Sequence, residues 1–132
     1  MSNKILVYGT LRVGQGAYHT FGLNYSTTHL GQVRIPGSMY HLGGFPGVVL
    51  DGNEEGVLCD VLEITDAAAA PEVVRRLDAY EDYWTNSPDN SLYLRREVTA
   101  GEFGQASIYE INRNMDERPR INGGDWLARD AA

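Results

Sequence analysis

The sequence has a single cysteine, Cys59, and no long apolar run. One cysteine excludes an intramolecular disulfide, and its place in the apolar segment GVLCDVLEI predicts a small buried hydrophobe rather than a nucleophile. No segment approaches the roughly 18 apolar residues of a membrane helix, and the start, MSNKILVYGTL, lacks the apolar stretch and cleavage site of a signal peptide. We therefore expect a cytoplasmic protein with no membrane partner.

Positive charge is also scarce, with 11 Lys and Arg against 18 Asp and Glu and a formal net charge of −7. Binding of nucleic acid needs clustered basic side chains that neutralise phosphates. The densest basic groups are two pairs, Arg75 with Arg76 and Arg95 with Arg96, which we expect on the solvated faces of a helix and a strand. We expect no nucleic-acid partner. The oligomeric state does not follow from the sequence.

The three histidines, His19, His29 and His41, do not have the spacing of metal ligands. The glycine-rich segment GTLRVGQG lacks the GK[ST] ending and the following helix of a nucleotide-binding loop. We therefore expect a protein that works without a metal or a cofactor.

Short runs of β-branched or alternating residues, separated by Gly and Pro, are typical of strands. One helix is predicted, with Pro71 at a first helical position and apolar residues at helical spacing up to Tyr80. Residues 12–26 contain too many glycines for more than a loop or short helix. The pattern predicts one α+β domain over residues 1–132, a small mixed β-barrel-like domain with one main helix. The predicted strands are 5–8, 29–35, 38–42, 48–50, 55–64, 92–99 and 105–111.

Glu81 is the first chemically interesting residue, because it lies four residues beyond Leu77 and seven beyond Val74. This spacing places it on or beside the apolar stripe of the helix. A carboxylate there must be capped, paired or held with a perturbed pKa, because an isolated buried charge is costly. The alternative is that the helix has already ended and Glu81 points to solvent.

The second candidate is the turn after the first strand, formed by Tyr8, Gly9, Thr10 and Leu11. Backbone N–H groups in such a turn can face a ligand, and strand-to-glycine turns form anion-binding concavities. An ordinary structural turn is the alternative.

Taken together, six segments resemble the γ-glutamylcyclotransferase and AIG2-like superfamily, in that family's order and at suitable spacings. The resemblance spans nearly the whole chain. The segments are YGTLR at 8–12, YHLGGFPGVVL at 40–50, EEGVLCDVLEI at 54–64, RRLDAYE at 75–81, LYLRREV at 92–98 and GGDW at 123–126.

The resemblance implies a barrel-like fold with a pocket for a γ-glutamyl group. It implies that Glu81 is the catalytic acid/base and that the loop Tyr8, Gly9, Thr10 and Leu11 binds the substrate through its backbone. Tyr93 is either a wall of the pocket or a residue of strand packing. One position departs from the family pattern, which usually has glycine after the glutamate, because this chain has Asp82 followed by YWTNSPDNS. That segment either covers the pocket or selects the leaving group.

The implied activity is that of a γ-glutamylcyclotransferase, an amide-bond-cleaving, cyclising acyltransferase that releases 5-oxoproline from a small-molecule γ-glutamyl amine or amino acid. Two alternatives stay open. The same residues can process an unusual γ-glutamyl compound that differs only in its leaving group, or the chain is a binding or regulatory protein that has kept the fold and lost turnover.

Overall fold

A five-stranded mixed sheet forms the centre of the computed structural model, which describes residues 3–129. Its strand order is β2-β5-β1-β7-β6. Strand β1 is antiparallel to β5 and parallel to β7, and the remaining neighbours are antiparallel. The strands in chain order are β1 (Lys4–Val7), β2 (Thr27–Ile35), β3 (Ser38–His41), β4 (Pro46–Val49), β5 (Val57–Ile64), β6 (Tyr93–Thr99) and β7 (Gln105–Ile111).

The predicted α+β class is confirmed, and the sheet is open rather than closed into a barrel. Within residues 3–129, β2 and β6 form its two edges, while β3 and β4 pair with each other as a separate antiparallel hairpin, and Tyr40 of β3 also bridges to Arg120. The parallel pairing of β1 with β7 joins strands that lie about a hundred residues apart, which local patterns do not reveal.

Three α-helices accompany the strands in the described part of the chain: α1 (Gly16–Thr20), α2 (Leu23–Ser26) and α3 (Ala70–Tyr80). The predicted main helix corresponds to α3, in which Pro71 is the second residue and Val74 and Leu77 are buried. Helices α1 and α2 occupy the glycine-rich segment that was predicted as a loop or short helix. No helix among residues 3–129 is long and apolar enough to cross a membrane.

Alternation along the strands produces two hydrophobic clusters, one on each side of the sheet. Ile5 and Val7 of β1 pack in the cluster that contains Leu77 of α3. Leu6 and the following Tyr8 pack in the other cluster with residues of the β3–β4 hairpin and with Trp126. Strand β1 is therefore buried on both faces, which explains its short continuous apolar run. The chain leaves β1 at Tyr8, and the loop that begins there lines the candidate site.

Candidate functional site

A cavity of about 320 Å³ opens where the loop after β1 meets the β3–β4 turn, the end of α3 and the start of β6. Its volume lies near the lower limit of small-molecule sites, which are commonly about 300 to 1,000 Å³. The inner walls are buried, and the rim is exposed at Gly44, Phe45 and Tyr80. The lining residues are Leu6, Val7, Tyr8, Gly9, Thr10, Leu11, Gly44, Phe45, Pro46, Tyr80, Glu81, Leu92, Tyr93 and Tyr109.

The loop predicted to bind substrate lines this cavity. Within residues 3–129, none of the backbone N–H groups of Gly9, Thr10 and Leu11 donates a hydrogen bond. Gly9 is required by a close approach, because a Cβ atom there would lie 2.7 Å from Cγ of Pro46. Such unpaired N–H groups form a suitable site for a carboxylate or an oxyanion.

A buried ionic network holds this loop in place. Arg12 directly follows it and donates to Oδ2 of Asp60 at 3.2 Å and to Oδ1 of Asp125 at 2.8 Å. Asp60 also accepts from the backbone N–H of Val13 at 3.0 Å and from Nε2 of Gln32 at 3.1 Å. Burial alone would raise the pKa of Asp60, but the hydrogen bonds from Arg12 and Gln32 outweigh it and hold the pKa below its usual value. The arginine of YGTLR and the aspartate of GGDW therefore fix the loop.

The C-terminal anchor of that network depends on Gly124, which directly precedes Asp125. Gly124 has φ +63, and a Cβ atom there would lie 2.1 Å from the carbonyl oxygen of Gly56. Its own carbonyl accepts from the N–H of Leu58 on β5 at 2.8 Å. Only glycine fits this close backbone contact, which brings the carboxylate of Asp125 to Arg12.

Glu81 lies immediately after α3 and lines the cavity beside the loop. Its backbone N–H still donates to the carbonyl of Leu77 at 2.9 Å, so the side chain leaves the helix end in a defined direction. The residue is half-buried, and among residues 3–129 its carboxylate forms no hydrogen bond and no ion pair. Burial raises the pKa of Glu81 to about 7. Each of the two alternatives from the sequence is correct in part. The helix has ended before Glu81, but the side chain faces the cavity instead of open solvent.

A second network fixes the helix end that carries Glu81. Asp78, one turn earlier on α3, accepts from Tyr109 Oη at 2.6 Å and from Arg95 Nη1 at 2.5 Å. The carbonyl of Tyr109 accepts in turn from Tyr8 Oη at 2.5 Å. A continuous chain of hydrogen bonds thus links the loop to the segment that ends in Glu81.

The prediction that Arg95 lies on a solvated strand face is wrong. Its side chain is 20% exposed and pairs with Asp78, because the alternation of β6 places it on the same face as buried Tyr93. Its guanidinium also lies 5.4 Å from the ring centre of Tyr83. Arg75 is solvated, as predicted, and pairs with Glu72 on the same helix.

Tyr93 is both a wall of the cavity and a packed strand residue. It is 4% exposed, and its Oη donates to the carbonyl of Pro46 at 2.6 Å. Burial raises the pKa of Tyr93, as it does for Tyr8 and Tyr109. These three phenols therefore stay neutral near pH 7, and among the residues that line the cavity Glu81 is the group whose pKa lies in this range.

The segment after Glu81 begins with a backbone conformation that favours glycine. Asp82 has φ +56, and aspartate is one of the few other residues that adopt this conformation readily. Its carboxylate accepts from Trp84 Nε1 at 2.6 Å, and its carbonyl accepts from the N–H of Leu92 at 2.9 Å. The hydrogen bond between Asp82 and Leu92 thus joins the two ends of the segment, and Leu92 lines the cavity.

Cys59 is fully buried on β5, as predicted, and burial raises the pKa of its thiol to about 12. The part of the chain from residue 3 to residue 129 contains no group of three or more His, Cys, Asp or Glu side chains arranged to hold a metal ion.

Tyr109, Phe45 and Tyr80 are cavity residues that the sequence did not single out. Phe45 lies in the segment GGFPG, whose glycines are the signal of a turn that approaches other backbone closely. Tyr80 directly precedes Glu81, and its position at the helix end was the signal that it shares the same cavity. Tyr109 had no local signal, because only the pairing of β7 with β6 brings it there.

A model of the family described as "Gamma-glutamyl cyclotransferase, AIG2-like" matches residues 5–128. The chain is also 32% identical over 129 residues to the γ-glutamylcyclotransferase family protein YtfP of Escherichia coli K12, covering 96% of this chain and 98% of that protein. The chain therefore belongs to the γ-glutamyl cyclotransferase, AIG2-like family.

Solved structures support the same fold. The solution structure of Escherichia coli YtfP has a TM-score of 0.68 at 31% identity, covering 96% of this chain and 98% of that one. An uncharacterized protein from Pyrococcus horikoshii has a TM-score of 0.69 at 24% identity, covering 95% and 90%. An AIG2-like protein from Mus musculus has a TM-score of 0.62 at 19% identity, covering 89% and 84%. The latter two likenesses concern the fold alone.

Proposed function

We propose that this protein is a γ-glutamylcyclotransferase that converts a γ-glutamyl amide to 5-oxoproline and a free amine, with Glu81 as the general acid/base. One observation carries the proposal: an unpartnered carboxyl group with a pKa of about 7 shares a cavity with three unpaired backbone N–H groups. A proton carrier and an anion site are the two elements that this reaction needs from a protein.

The substrate itself supplies the remaining requirement. In a γ-glutamyl amide the α-amino group is tethered to the γ-carbonyl that it attacks, and closure forms a five-membered lactam. The reaction is intramolecular, so proximity is a property of the substrate. The protein has to hold the γ-glutamyl group of the substrate in the bent conformation that brings these two atoms together. A small cavity with mostly buried walls serves this purpose.

Glu81 carries the protons. Its carboxylate takes one proton from the α-ammonium group, and the resulting amine attacks the γ-carbonyl carbon to form the new C–N bond. The ring nitrogen releases a second proton as the old amide C–N bond breaks. Two protons thus leave the α-nitrogen, and two reach the departing amine, which leaves as an ammonium ion. A pKa of about 7 suits a group that both accepts and donates a proton near neutral pH.

The N–H groups of Gly9, Thr10 and Leu11 bind negative charge. The two candidates are the α-carboxylate of the substrate and the oxyanion that develops on the γ-carbonyl. Donors that are unpaired and already held in the cavity wall need little reorganisation during the reaction, so they stabilise developing charge effectively. The network behind Arg12 keeps these donors in place.

The test is incubation of the purified protein with a panel of γ-glutamyl amides and mass spectrometry of the products. We expect 5-oxoproline and the free amine in equal amounts. The Glu81→Gln variant should lose turnover, whereas Glu72→Gln, which changes an exposed glutamate on the same helix, should keep it. Binding of a γ-glutamyl compound without any turnover by the unaltered protein would instead identify a non-catalytic binding protein.

A further inference from the structure

The cavity of this protein has an exposed aromatic rim outside its buried inner part. We propose that this rim binds the leaving group and selects an uncharged, apolar or aromatic amine that carries no carboxylate. This inference rests on the proposed function and adds the chemical class of the substrate. It follows from the charges of the lining residues and from the way in which the rim residues are held.

Charge complementarity argues against an amino acid as the leaving group. Among the described residues that line the cavity, Glu81 is the only one with a formal charge, and none is Lys or Arg. A γ-glutamyl amino acid carries a second carboxylate on its leaving group. At the rim that carboxylate would meet no cationic partner among these residues, so any hydration that it loses on binding would not be compensated. Arg76, on the same helix, does not line the cavity and packs over the ring of Phe21 at 5.5 Å.

Tyr80 forms one prebuilt aromatic wall of the rim. Its ring packs edge-on against Phe21, with ring centres 4.8 Å apart, and its hydroxyl is hydrogen-bonded to Thr10 Oγ1 at 2.8 Å. These contacts hold the ring although the residue is 43% exposed. Because its hydroxyl is already bonded, Tyr80 offers the cavity an aromatic surface rather than a free polar group.

Phe45 supplies the second aromatic surface from a different element. It lies in the turn between β3 and β4, where its carbonyl accepts from the N–H of Leu42 at 3.0 Å, and it is 38% exposed. Two aromatic rings from separate elements thus reach solvent at the mouth of one cavity. Their burial by an apolar or aromatic amine would contribute favourably to binding of the leaving group.

Four synthetic substrates separate the possible leaving groups: γ-glutamyl benzylamide, γ-glutamyl-phenylglycine, γ-glutamyl methylamide and the γ-glutamyl conjugate of 1,5-diaminopentane. The first two differ only by a carboxylate on the same aromatic amine. We expect kcat/KM for the benzylamide to exceed the values for the phenylglycine and diaminopentane conjugates by at least about tenfold. Equal values, or a preference for the carboxylated compound, would overturn the inference. A preference for the diaminopentane conjugate would show that the rim selects a cation instead.

Variants test whether the rim causes the preference. In Tyr80→Ala and Phe45→Ala, the ratio of kcat/KM for the benzylamide to that for the methylamide should fall by about tenfold. Tyr80→Phe keeps the ring and should keep the ratio, which guards against a general effect of altered folding. Tyr25→Ala is the matched control, because Tyr25 is 87% exposed and does not line the cavity. An unchanged ratio in both alanine variants would refute the role of the rim.

The outcomes also distinguish the two proposals. Turnover of the methylamide without any preference for the benzylamide would leave the proposed function standing and refute the inference. Failure to release 5-oxoproline from any of the four compounds would refute the proposed function, and the inference would fall with it.

Discussion

Replacement of Glu81 by glutamine tests the proposed role of this residue through activity and stability together. The change keeps the size of the side chain, removes its exchangeable proton, and breaks no side-chain hydrogen bond or ion pair in the described part of the chain. General acid/base catalysis contributes roughly 10²- to 10⁴-fold, so kcat should fall by at least that factor. KM should change little, because in the proposed mechanism the backbone of the loop does most of the binding.

The effect on stability depends on pH. Burial raises the pKa of Glu81 from 4.5 to about 7 in the folded protein. Below pH 4.5 the carboxyl is protonated in both states, so it does not change the free energy of unfolding. Between pH 4.5 and 7 the unfolded state ionises first, and the folded state loses stability as the pH rises. Above pH 7 this loss is complete, at most about 3 kcal/mol and closer to 1 kcal/mol if the cavity admits water.

Thermal unfolding of both proteins at pH 4 and pH 8 measures this difference. At pH 8 the Glu81→Gln variant should be as stable as the unaltered protein or more stable, and at pH 4 the two melting temperatures should agree. In the active protein, kcat/KM should show a titration near pH 7. A glutamate that serves only a structural ion pair gives the reverse result, with near-normal turnover per folded molecule and a clear loss of melting temperature at pH 8.

Three further substitutions and one chelation experiment test the same site. Gly9→Val should raise KM and lower kcat, because its Cβ would meet Pro46 at 2.7 Å, whereas Gly16→Ala, in open space, should leave both unchanged; steady-state kinetics decides. Asp78→Asn breaks a mostly buried ion pair and should destabilise the protein by about 2 kcal/mol while lowering kcat. Equilibrium unfolding and kinetics on one preparation measure both effects. An unchanged kcat would show that Asp78 has a purely structural role. Arg12→Lys cannot reach both carboxylates in the same geometry and should cost about 2 kcal/mol in denaturant unfolding; an unchanged midpoint would contradict the network. EDTA should leave 5-oxoproline production intact, and loss of activity that a divalent ion restores would refute the metal-free mechanism.

Much of the fold was predictable because its strands alternate and its turns carry glycine. Strand β1 and helix α3 were recognisable from apolar spacing that depends only on neighbouring residues. The sequence did not predict that the sheet is open, because an open or a closed sheet depends on which distant strands pair. The contact of β1 with β7 joins Ile5 to Ser107, and no local pattern encodes that partner.

The candidate site was predictable in its residues and not in its geometry. Glu81 is ambiguous in the sequence because it lies where the helix ends, and only the fold brings it into one cavity with tyrosines of β6 and β7. Arg95 was misjudged because a charge in a strand usually faces solvent. Here Asp78 supplies a partner that makes the inward face acceptable. The ambiguity of Glu81 and the error at Arg95 both arise from contacts between elements, which sequence spacing does not contain.

The motif segments combine residues that face the cavity with residues that hold them there. YGTLR contributes three unpaired N–H groups to the cavity and Arg12 to the network beneath them. RRLDAYE likewise contributes Glu81 to the cavity and Asp78 to the network behind it. Changes in the cavity should therefore alter kinetics with little effect on folding, whereas changes in the networks should alter both. Because Tyr8 and Tyr109 connect the loop to the support of Glu81, double variants across this link should show non-additive effects on kcat.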